Sequence, residues 1–155
     1  MKKLFLIFAL TFSFISSVSA DEVETNLLKL KSLNSCESCN LRGAGLAGAD
    51  LTGANLSGAD LTAANLAFVN LEGADLIGVN LFFANLNGAN LSGANLKGAD
   101  LTAATMLAAN LTEANLSGVN FFGADLTAVD LKNANIDGII FCQTTTPWGV
   151  DNSGC

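Results

Sequence analysis

The sequence predicts an all-β solenoid, and three observations lead to this fold class. Residues 39–143 read as 21 consecutive pentads of the form Ala-(Asn/Asp)-Leu-x-x, as in ANLSG at 54–58. A period of five suits neither a helix, which would scatter the leucines around its circumference, nor a strand, which would point successive leucines to opposite faces. The chain must therefore turn once in every pentad. The third position is Leu in 17 pentads and is never polar, since the exceptions are Met106, Phe121, Ile136 and Phe141.

The size of one coil follows from the pentad. If each pentad supplies one side and one corner, four pentads close a coil of 20 residues, and residues 39–143 form about five coils. Residues 20 apart then stack, and backbone groups pair between coils at roughly 4.8 Å in a rod about 25 Å long. The pentads resemble the pentapeptide-repeat family over about two thirds of the chain. This resemblance implies a right-handed quadrilateral parallel β-helix.

Residues 1–20 have the composition of a secretory signal peptide. Lys2 and Lys3 form the basic start, residues 4–15 the apolar run, and Val18-Ser19-Ala20 a small-residue cleavage site, so we expect cleavage after Ala20. A membrane anchor is the alternative, but about a dozen apolar residues are fewer than the roughly 20 that span a bilayer. The sequence therefore predicts a secreted or periplasmic protein without stable insertion into a membrane.

The rest of the chain divides into three expected parts. Residues 21–38 form an N-terminal cap with a short helix over about 22–31, residues 39–143 the solenoid, and residues 144–155 a C-terminal cap. A cap covers the apolar cross-section of a terminal coil, and Leu27, Leu28 and Leu30 are expected to do so at the first coil. Because both ends would be covered, we expect a monomer.

Four cysteines lie at the two ends of the repeat. Cys36 and Cys39 stand at its entrance and Cys142 and Cys155 at its exit, and four cysteines allow three pairings. The two sets lie roughly 20 Å or more apart in the expected rod, whereas bridged Cα atoms lie within about 7 Å. We therefore expect Cys36 to pair with Cys39 and Cys142 with Cys155. Thiol redox catalysis and zinc binding are alternatives for the Cys-x-x-Cys motif, but the βαβ unit and the further ligands that they need are missing.

The second position of the pentad is Asn or Asp in 18 cases, with exceptions at Gly45, Thr105 and Ile140. When residues 20 apart are stacked into columns, no two aspartates are neighbours. This spacing favours hydrogen bonds between stacked amides over a calcium site, which gathers carboxylates around one centre. We therefore predict no metal, no cofactor and no catalytic residue.

The fifth residue of each pentad lies at a corner of the coil, so its identity indicates the type of turn. One column is entirely glycine, and glycine permits the positive φ that a type II turn requires. The other three columns include residues with side chains, so we expect turns without positive φ there. The residues concerned are Ala63, Phe68, Phe83, Ala103, Ala108, Glu113, Ala128 and Asn133.

The fourth position points outward, and apolar residues there indicate a contact surface. Phe82 and Phe122 fall in one column, Phe83 follows at the adjacent corner, and Leu107 and Phe68 belong to the next face. Exposed aromatic residues on one side of a secreted rod commonly mark a protein interface. The alternative is that these side chains lie flat over the backbone of the corners.

The charge and residue composition of the chain disfavour several classes of function. After removal of the signal, five basic residues remain against 14 acidic ones, a net charge of −9 that opposes binding to nucleic acid. An enzyme is disfavoured because the chain has no His and no phosphate-binding loop, and because a rod filled with Leu and Ala has no cleft. The preferred hypothesis is an exported, non-catalytic scaffold or protein-interaction module. The resemblance to the family also implies an alternative, an acidic DNA mimic that binds gyrase, but export would separate such a protein from its target.

Mass spectrometry of the mature protein without reduction tests both the cleavage site and the cysteine pairing. The first residue should be Asp21, and linked peptides should join Cys36 to Cys39 and Cys142 to Cys155. A peptide that links Cys39 to Cys142 would contradict the solenoid, because these two residues belong at opposite ends of the rod.

Overall fold

The computed structural model describes residues 17–155, and in this part a helix and a short hairpin flank a stack of coils. Helix α1 spans Ser17–Leu33, strand β1 spans Thr144–Thr146, and strand β2 spans Gly149–Asp151. Parallel bridges between α1 and β2 join residues 20 apart, the first at Ser35 and Asn55 and the last at Asp125 and Thr145. The chain therefore forms a parallel β-solenoid that repeats every four pentads.

The backbone N–H groups of a pentad each have a defined acceptor. The first residue donates across the turn, the second donates to the coil before, and the third and fifth donate to the coil after. The fourth residue donates to the side chain of the second. For residues 89–93 the acceptors are, in order, the carbonyls of Leu86, Val69 and Asn110, the Oδ1 atom of Asn90 and the carbonyl of Thr112.

The hydrogen bond that the N–H group of the fourth residue donates explains why the second residue of the pentad is Asn or Asp. This short side chain reaches the N–H group two residues ahead, as in an Asx turn. Where Thr105 replaces it, the N–H group of Leu107 instead donates to Oδ1 of Asn87 in the preceding coil, at 2.8 Å. The expected bonds between stacked amides also occur, for example from Nδ2 of Asn90 to Oδ1 of Asn70 at 3.0 Å.

The interior consists of the first and third residues of the pentads. Leu71, Leu91 and Leu111 stack on one another and are fully buried, and the small residue at the first position fills the space beside each corner. The irregular pentad 104–108 keeps this arrangement, because Met106 is buried in the place of a leucine. A change of residue at an inward position therefore alters packing without altering the register of the coils.

The expectation that several corners avoid positive φ is wrong. The eight corner residues named above have φ between 56° and 60°, close to the values of the glycine corners. Ala128 and Asn133 adopt this turn without a hydrogen bond to a further coil, but the other six donate their N–H group to the next coil, as Phe83 does to Thr102 at 3.1 Å. The hydrogen bonds between coils therefore outweigh the cost of about 1–2 kcal/mol that the left-handed region imposes on a residue with a side chain.

Helix α1 is longer than the expected range of 22–31 and covers the first coil with a different set of residues. Leu30 is buried and Leu27 packs against the core, whereas Leu28 is exposed. Leu27 and Leu30 are three apart and share one face of the helix, and Leu28 lies about 100° around the axis from Leu27. The helix runs through Ala20, and residues 1–16 of the expected signal peptide lie outside the described residues.

Both cystines lie at the ends of the stack. Cys36 is bonded to Cys39, with Cα atoms 5.3 Å apart, and Cys142 is bonded to Cys155, with Cα atoms 5.0 Å apart. Cys36 already occupies an inward third position, since its N–H group donates to Asn55 in the next coil at 2.7 Å. The solenoid therefore begins one pentad before residue 39. The Cys36–Cys39 bridge closes a turn of the first coil, and only the Cys142–Cys155 bridge ties a terminal segment to the rod.

Leu91 and Ser92 are neighbours that point in opposite directions, so they test the assignment of the interior. Leu91→Asp should prevent folding, because it places an unpaired carboxylate among fully buried leucines. Ser92→Asp should change the free energy of unfolding by well under about 1 kcal/mol. Chemical denaturation of the two variants measures the difference, and equal tolerance would show that the inward assignment is wrong.

Ala108 and Ala109 test the cost of the corners. Ala108→Gly should raise the free energy of unfolding by about 0.5 kcal/mol, because relief of the positive φ of 56° exceeds the extra entropy of glycine in the unfolded chain. Ala109→Gly should lower it by about 1–2 kcal/mol, because a buried methyl group is lost and φ gives no compensation. Thermal and denaturant unfolding give both values, and destabilisation by both substitutions would contradict strain at the corner.

Candidate interaction surface

The turns of the solenoid carry the side chains that face solvent. Apart from Thr62 and Cys142, which are buried, the fourth and fifth residues of the pentads are at least partly accessible, and those 20 apart align because the coils stack in register. Most of their N–H groups are bonded to an Asx side chain or to a neighbouring coil, whether the residue is polar, as at Thr62, or aromatic, as at Phe82. The fold therefore permits almost any residue at these positions, and an apolar residue there is not required by the stack itself.

Three phenylalanines form the aromatic part of this outer surface. The rings of Phe82 and Phe83 meet edge to face, with centroids 4.4 Å apart. Phe122 lies in the same column as Phe82, two coils further along. The side chains remain 36% exposed at Phe82, 60% at Phe83 and 43% at Phe122. We call these three residues the aromatic surface.

Phe68 and Leu107 were expected to extend this surface on the next face. Both side chains are exposed. The ring of Phe68 nevertheless lies over the corner of the next coil, where a Cβ atom added to Gly88 would come within 2.6 Å of two ring carbons. Phe68 therefore packs over corner backbone, and Gly88 cannot carry a side chain unless this ring moves.

Polar residues bound the aromatic surface on the side of the first coil. Arg42 and Thr62 precede Phe82 in its column, and Nη1 of Arg42 lies 3.1 Å from Oδ2 of Asp60. Burial acts to raise the pKa of Asp60, but hydrogen bonds from Thr62 and the guanidinium of Arg42 together hold it below its ordinary value. The carboxylate of Asp60 thus remains ionised beside the apolar region at neutral pH.

Other exposed apolar residues were not identified from the sequence. Ile77 is exposed at a fourth position on a different face, and Ile136, Ile140, Trp148 and Val150 are exposed at the C-terminal end. Ile140 does carry a sequence signal, because it replaces the Asn or Asp of the second position. Ile77 carries one too, because it is an apolar residue at an outward fourth position. The exposure of Ile136, Trp148 and Val150 depends on how far the hairpin covers the last coil.

The titratable side chains of the described residues do not gather into a metal-binding cluster. Within residues 17–155, no group of three or more His, Cys, Asp or Glu side chains is placed to hold a metal ion. All four cysteines are in disulfide bonds. No helix in this part of the chain has the length and apolar character needed to cross a bilayer. What the geometry does provide is a long surface of exchangeable outward side chains.

These features define a class of protein, the repeat solenoids, in which a uniform backbone stack presents variable side chains on its faces. The sequence model described as pentapeptide repeats matches this chain with 8 copies, over residues 39–78, 74–106 and 107–143. The chain therefore belongs to the pentapeptide-repeat family.

Solved structures of pentapeptide-repeat proteins are similar to this chain. HetL, a protein involved in heterocyst differentiation regulation in the cyanobacterium Nostoc sp. strain PCC 7120, is 27% identical over 74% of this chain and 77% of its own, with a TM-score of 0.43. A protein from the cyanobacterium Cyanothece 51142 is 32% identical over 75% and 92%, with a TM-score of 0.40. A protein from the thylakoid lumen of Arabidopsis thaliana is 33% identical over 66% and 65%, with a TM-score of 0.38. A comparison with curated proteins found no match.

Proposed function

We propose that this protein is an exported, non-catalytic interaction scaffold that binds a protein partner through Phe82, Phe83 and Phe122. The observation that carries the proposal is the exposure of three phenylalanines at turn positions that the solenoid does not need to be apolar. Desolvation of such rings by a partner supplies much of the energy of a typical interface.

The packing of the rings supports this choice of residues. Phe68 is 74% exposed, but its ring already lies against the corner at Gly88 and contributes to packing between coils there. Phe82 and Phe83 contact each other, but their mutual contact leaves a large part of both rings accessible. We therefore assign the contact to the aromatic surface and place Phe68 and Leu107 at its periphery.

The shape that we propose for the scaffold is a right-handed quadrilateral β-helix of about five coils. The register of 20 residues supports four sides, because each pentad contributes one turn. Successive coils are about 4.8 Å apart, so Phe82 and Phe122 would lie roughly 10 Å apart along the rod. A partner would therefore contact both rings with a surface only two coils high.

Export is the second part of the proposal. The composition of residues 1–20 is that of a signal peptide, and two cystines are consistent with an oxidising compartment. We also propose that the mature chain begins after residue 20. It then consists of an N-terminal cap, the solenoid and a C-terminal cap at residues 144–155. Because the mature chain carries a net charge of −9, a partner with basic residues around an apolar patch would be complementary.

The gyrase-binding DNA mimic has less support. Its carboxylates would have to reproduce the charge pattern of a nucleic acid, whereas the aspartates here alternate with asparagines and are dispersed over the faces of the rod. Export would also keep the protein away from cytoplasmic gyrase.

The double variant Phe82→Ser with Phe122→Ser tests the proposed contact. The circular dichroism spectrum should stay unchanged, and the melting temperature nearly so, because neither ring is in the core. Proteins that co-purify with the tagged, exported wild type should be lost, since aromatic anchors commonly carry most of the energy of an interface. Quantitative mass spectrometry of the two samples makes the comparison.

A matched control lies on the face whose fourth positions are polar. Ser92→Ala with Lys132→Ala changes two outward residues at the same spacing of 40 residues and should keep every partner. A large fall in the melting temperature of the phenylalanine variant, with its partners retained, would mean that the rings serve packing and that the contact lies elsewhere.

A further inference from the structure

The pentad Ala-Asp-Leu-Thr-Ala occurs three times in the solenoid, and two of the copies lie in the column of the aromatic surface. These two copies are residues 59–63 and 99–103, and the third is residues 124–128 on the next face. In every copy, Oδ1 of the aspartate accepts hydrogen bonds from both the N–H group and the hydroxyl of the threonine. The three copies therefore share their internal hydrogen bonds and differ in what lies beside them.

The first copy binds a guanidinium that the chain itself supplies. Nη1 of Arg42 lies 3.1 Å from Oδ2 of Asp60, which is the oxygen that the hydrogen bonds of Thr62 leave unused. Arg42 lies one coil before Thr62 in the column, and Phe82 lies one coil after it. Between these two residues Thr62 is only 7% exposed, although it occupies an outward position. The first copy thus shows how an arginine completes an Asp-Thr pair on this face.

The second copy has an aromatic ring on each side. Phe82 lies one coil before Thr102 in the column and Phe122 one coil after it, and Thr102 is more accessible than the threonine of the first copy. Among the described residues, no group donates to Oδ2 of Asp100 and no basic side chain forms an ion pair with this carboxylate. We call the space between the two rings, over Asp100 and Thr102, the aromatic notch.

Hydrogen bonds and ring packing hold the aromatic notch in place. Nδ2 of Asn120 donates to Oγ1 of Thr102 at 3.0 Å, and this hydroxyl donates to Oδ1 of Asp100 at 2.6 Å. Phe83 packs edge to face against Phe82 and so limits the movement of that ring. With Oδ1 held by two donors, Oδ2 is the atom left for a ligand, and little ordering is needed on binding.

We propose that the aromatic notch binds an arginine side chain of the protein partner, with the guanidinium between Phe82 and Phe122 and against Oδ2 of Asp100. Residues two coils apart are separated by roughly 10 Å, so a cation midway lies about 5 Å from each ring. Cations bind over aromatic faces within about 6 Å of the ring centre. This inference rests on the proposed function, because it names the side chain that the aromatic surface receives.

Arginine suits the aromatic notch better than lysine or an apolar anchor does. Its guanidinium is planar, stacks on aromatic rings and carries several N–H donors in one plane. The contact of Arg42 with Asp60 shows that a guanidinium reaches Oδ2 in this register. An apolar anchor would instead bury the carboxylate of Asp100 without a partner for Oδ2. The net charge of −9 on the mature chain also favours a basic ligand.

An NMR titration of the full mature chain, with its cystines intact, tests the proposal with N-acetyl-arginine methylamide as the probe. The methyl signal of Thr102 and the ring signals of Phe82 and Phe122 should shift and reach saturation. The CH₂ protons beside the guanidinium of the probe should move upfield, because they lie between two ring currents. The citrulline analogue has a similar shape without the charge, and it should bind at least about fivefold more weakly.

Two matched variants test the role of the carboxylate. Asp100→Asn should weaken binding of the arginine probe by about fivefold or more, because it removes the charge that the guanidinium contacts. Asp125→Asn removes the same charge from the third copy of the pentad, away from the notch, and should change the affinity by less than about twofold. Equal loss in the two variants, or equal affinity for the arginine and citrulline probes, would overturn the proposal.

Arg42→Phe tests the arrangement by the gain of a site. The substitution removes the guanidinium from Asp60 and places an aromatic ring on each side of Thr62, as in the second copy of the pentad. The arginine probe should then shift the methyl signal of Thr62, which it should leave unchanged in the wild type. A variant in which Thr62 still fails to respond, or a wild type in which it responds as Thr102 does, would contradict the proposed arrangement.

Asp100→Asn also separates this inference from the proposed function. In the co-purification experiment it should lose the same partners as Phe82→Ser with Phe122→Ser. If the phenylalanine variant loses its partners while Asp100→Asn retains them, the aromatic surface is the contact but an arginine is not its ligand. If both variants keep every partner, the contact lies elsewhere and the proposed function fails together with this inference.

Discussion

Backbone hydrogen bonds between successive coils are the constraint on which the rest of this structure depends. Three of the five N–H groups in a pentad donate to a neighbouring coil, and the fourth is satisfied by the Asx side chain of the same pentad. A buried or half-buried N–H group without an acceptor costs free energy comparable to a lost hydrogen bond. The register of 20 residues is therefore maintained even where the sequence departs from the repeat. The pentad of Thr105 shows this, because Asn87 supplies the missing acceptor from the coil below.

Because of this constraint, stability and surface chemistry are determined by different residues of the pentad. The inward first and third residues pack the core, and the second residue satisfies the backbone, so the fourth and fifth residues carry little structural duty. A pair such as Phe82 and Phe83 can then be placed on one face without a change in the stack. A rod of this kind is suited to recognition, because its face can vary while its backbone stays the same.

The same constraint makes the ends of the rod chemically distinct from its middle. Wherever the stack stops, a row of donors and acceptors is left for something else to satisfy. The side chains of Asn26 and Asn34 do this at the first coil, and the hairpin bridge at Thr145 does it for half of the last coil. Beside Ile136, in residues 129–138, the described chain does not complete this pairing, and Ile136 is exposed although it occupies an inward third position.

The sequence by itself determined the solenoid, because a five-residue period of Leu allows neither a helix nor a strand, and it determined which residues face inward. Tertiary structure decided the rest. The corner at Phe83 takes positive φ because a hydrogen bond to the next coil outweighs the local preference of a residue with a side chain for negative φ. Likewise, Leu28 faces solvent and Ile136 is left uncovered because the docking angle of α1 and the reach of the hairpin depend on contacts far apart in the chain. The local sequence pattern determines the repeat period and which side chains point inward. How much of each terminal coil is covered depends on packing between distant segments, which the local pattern does not determine.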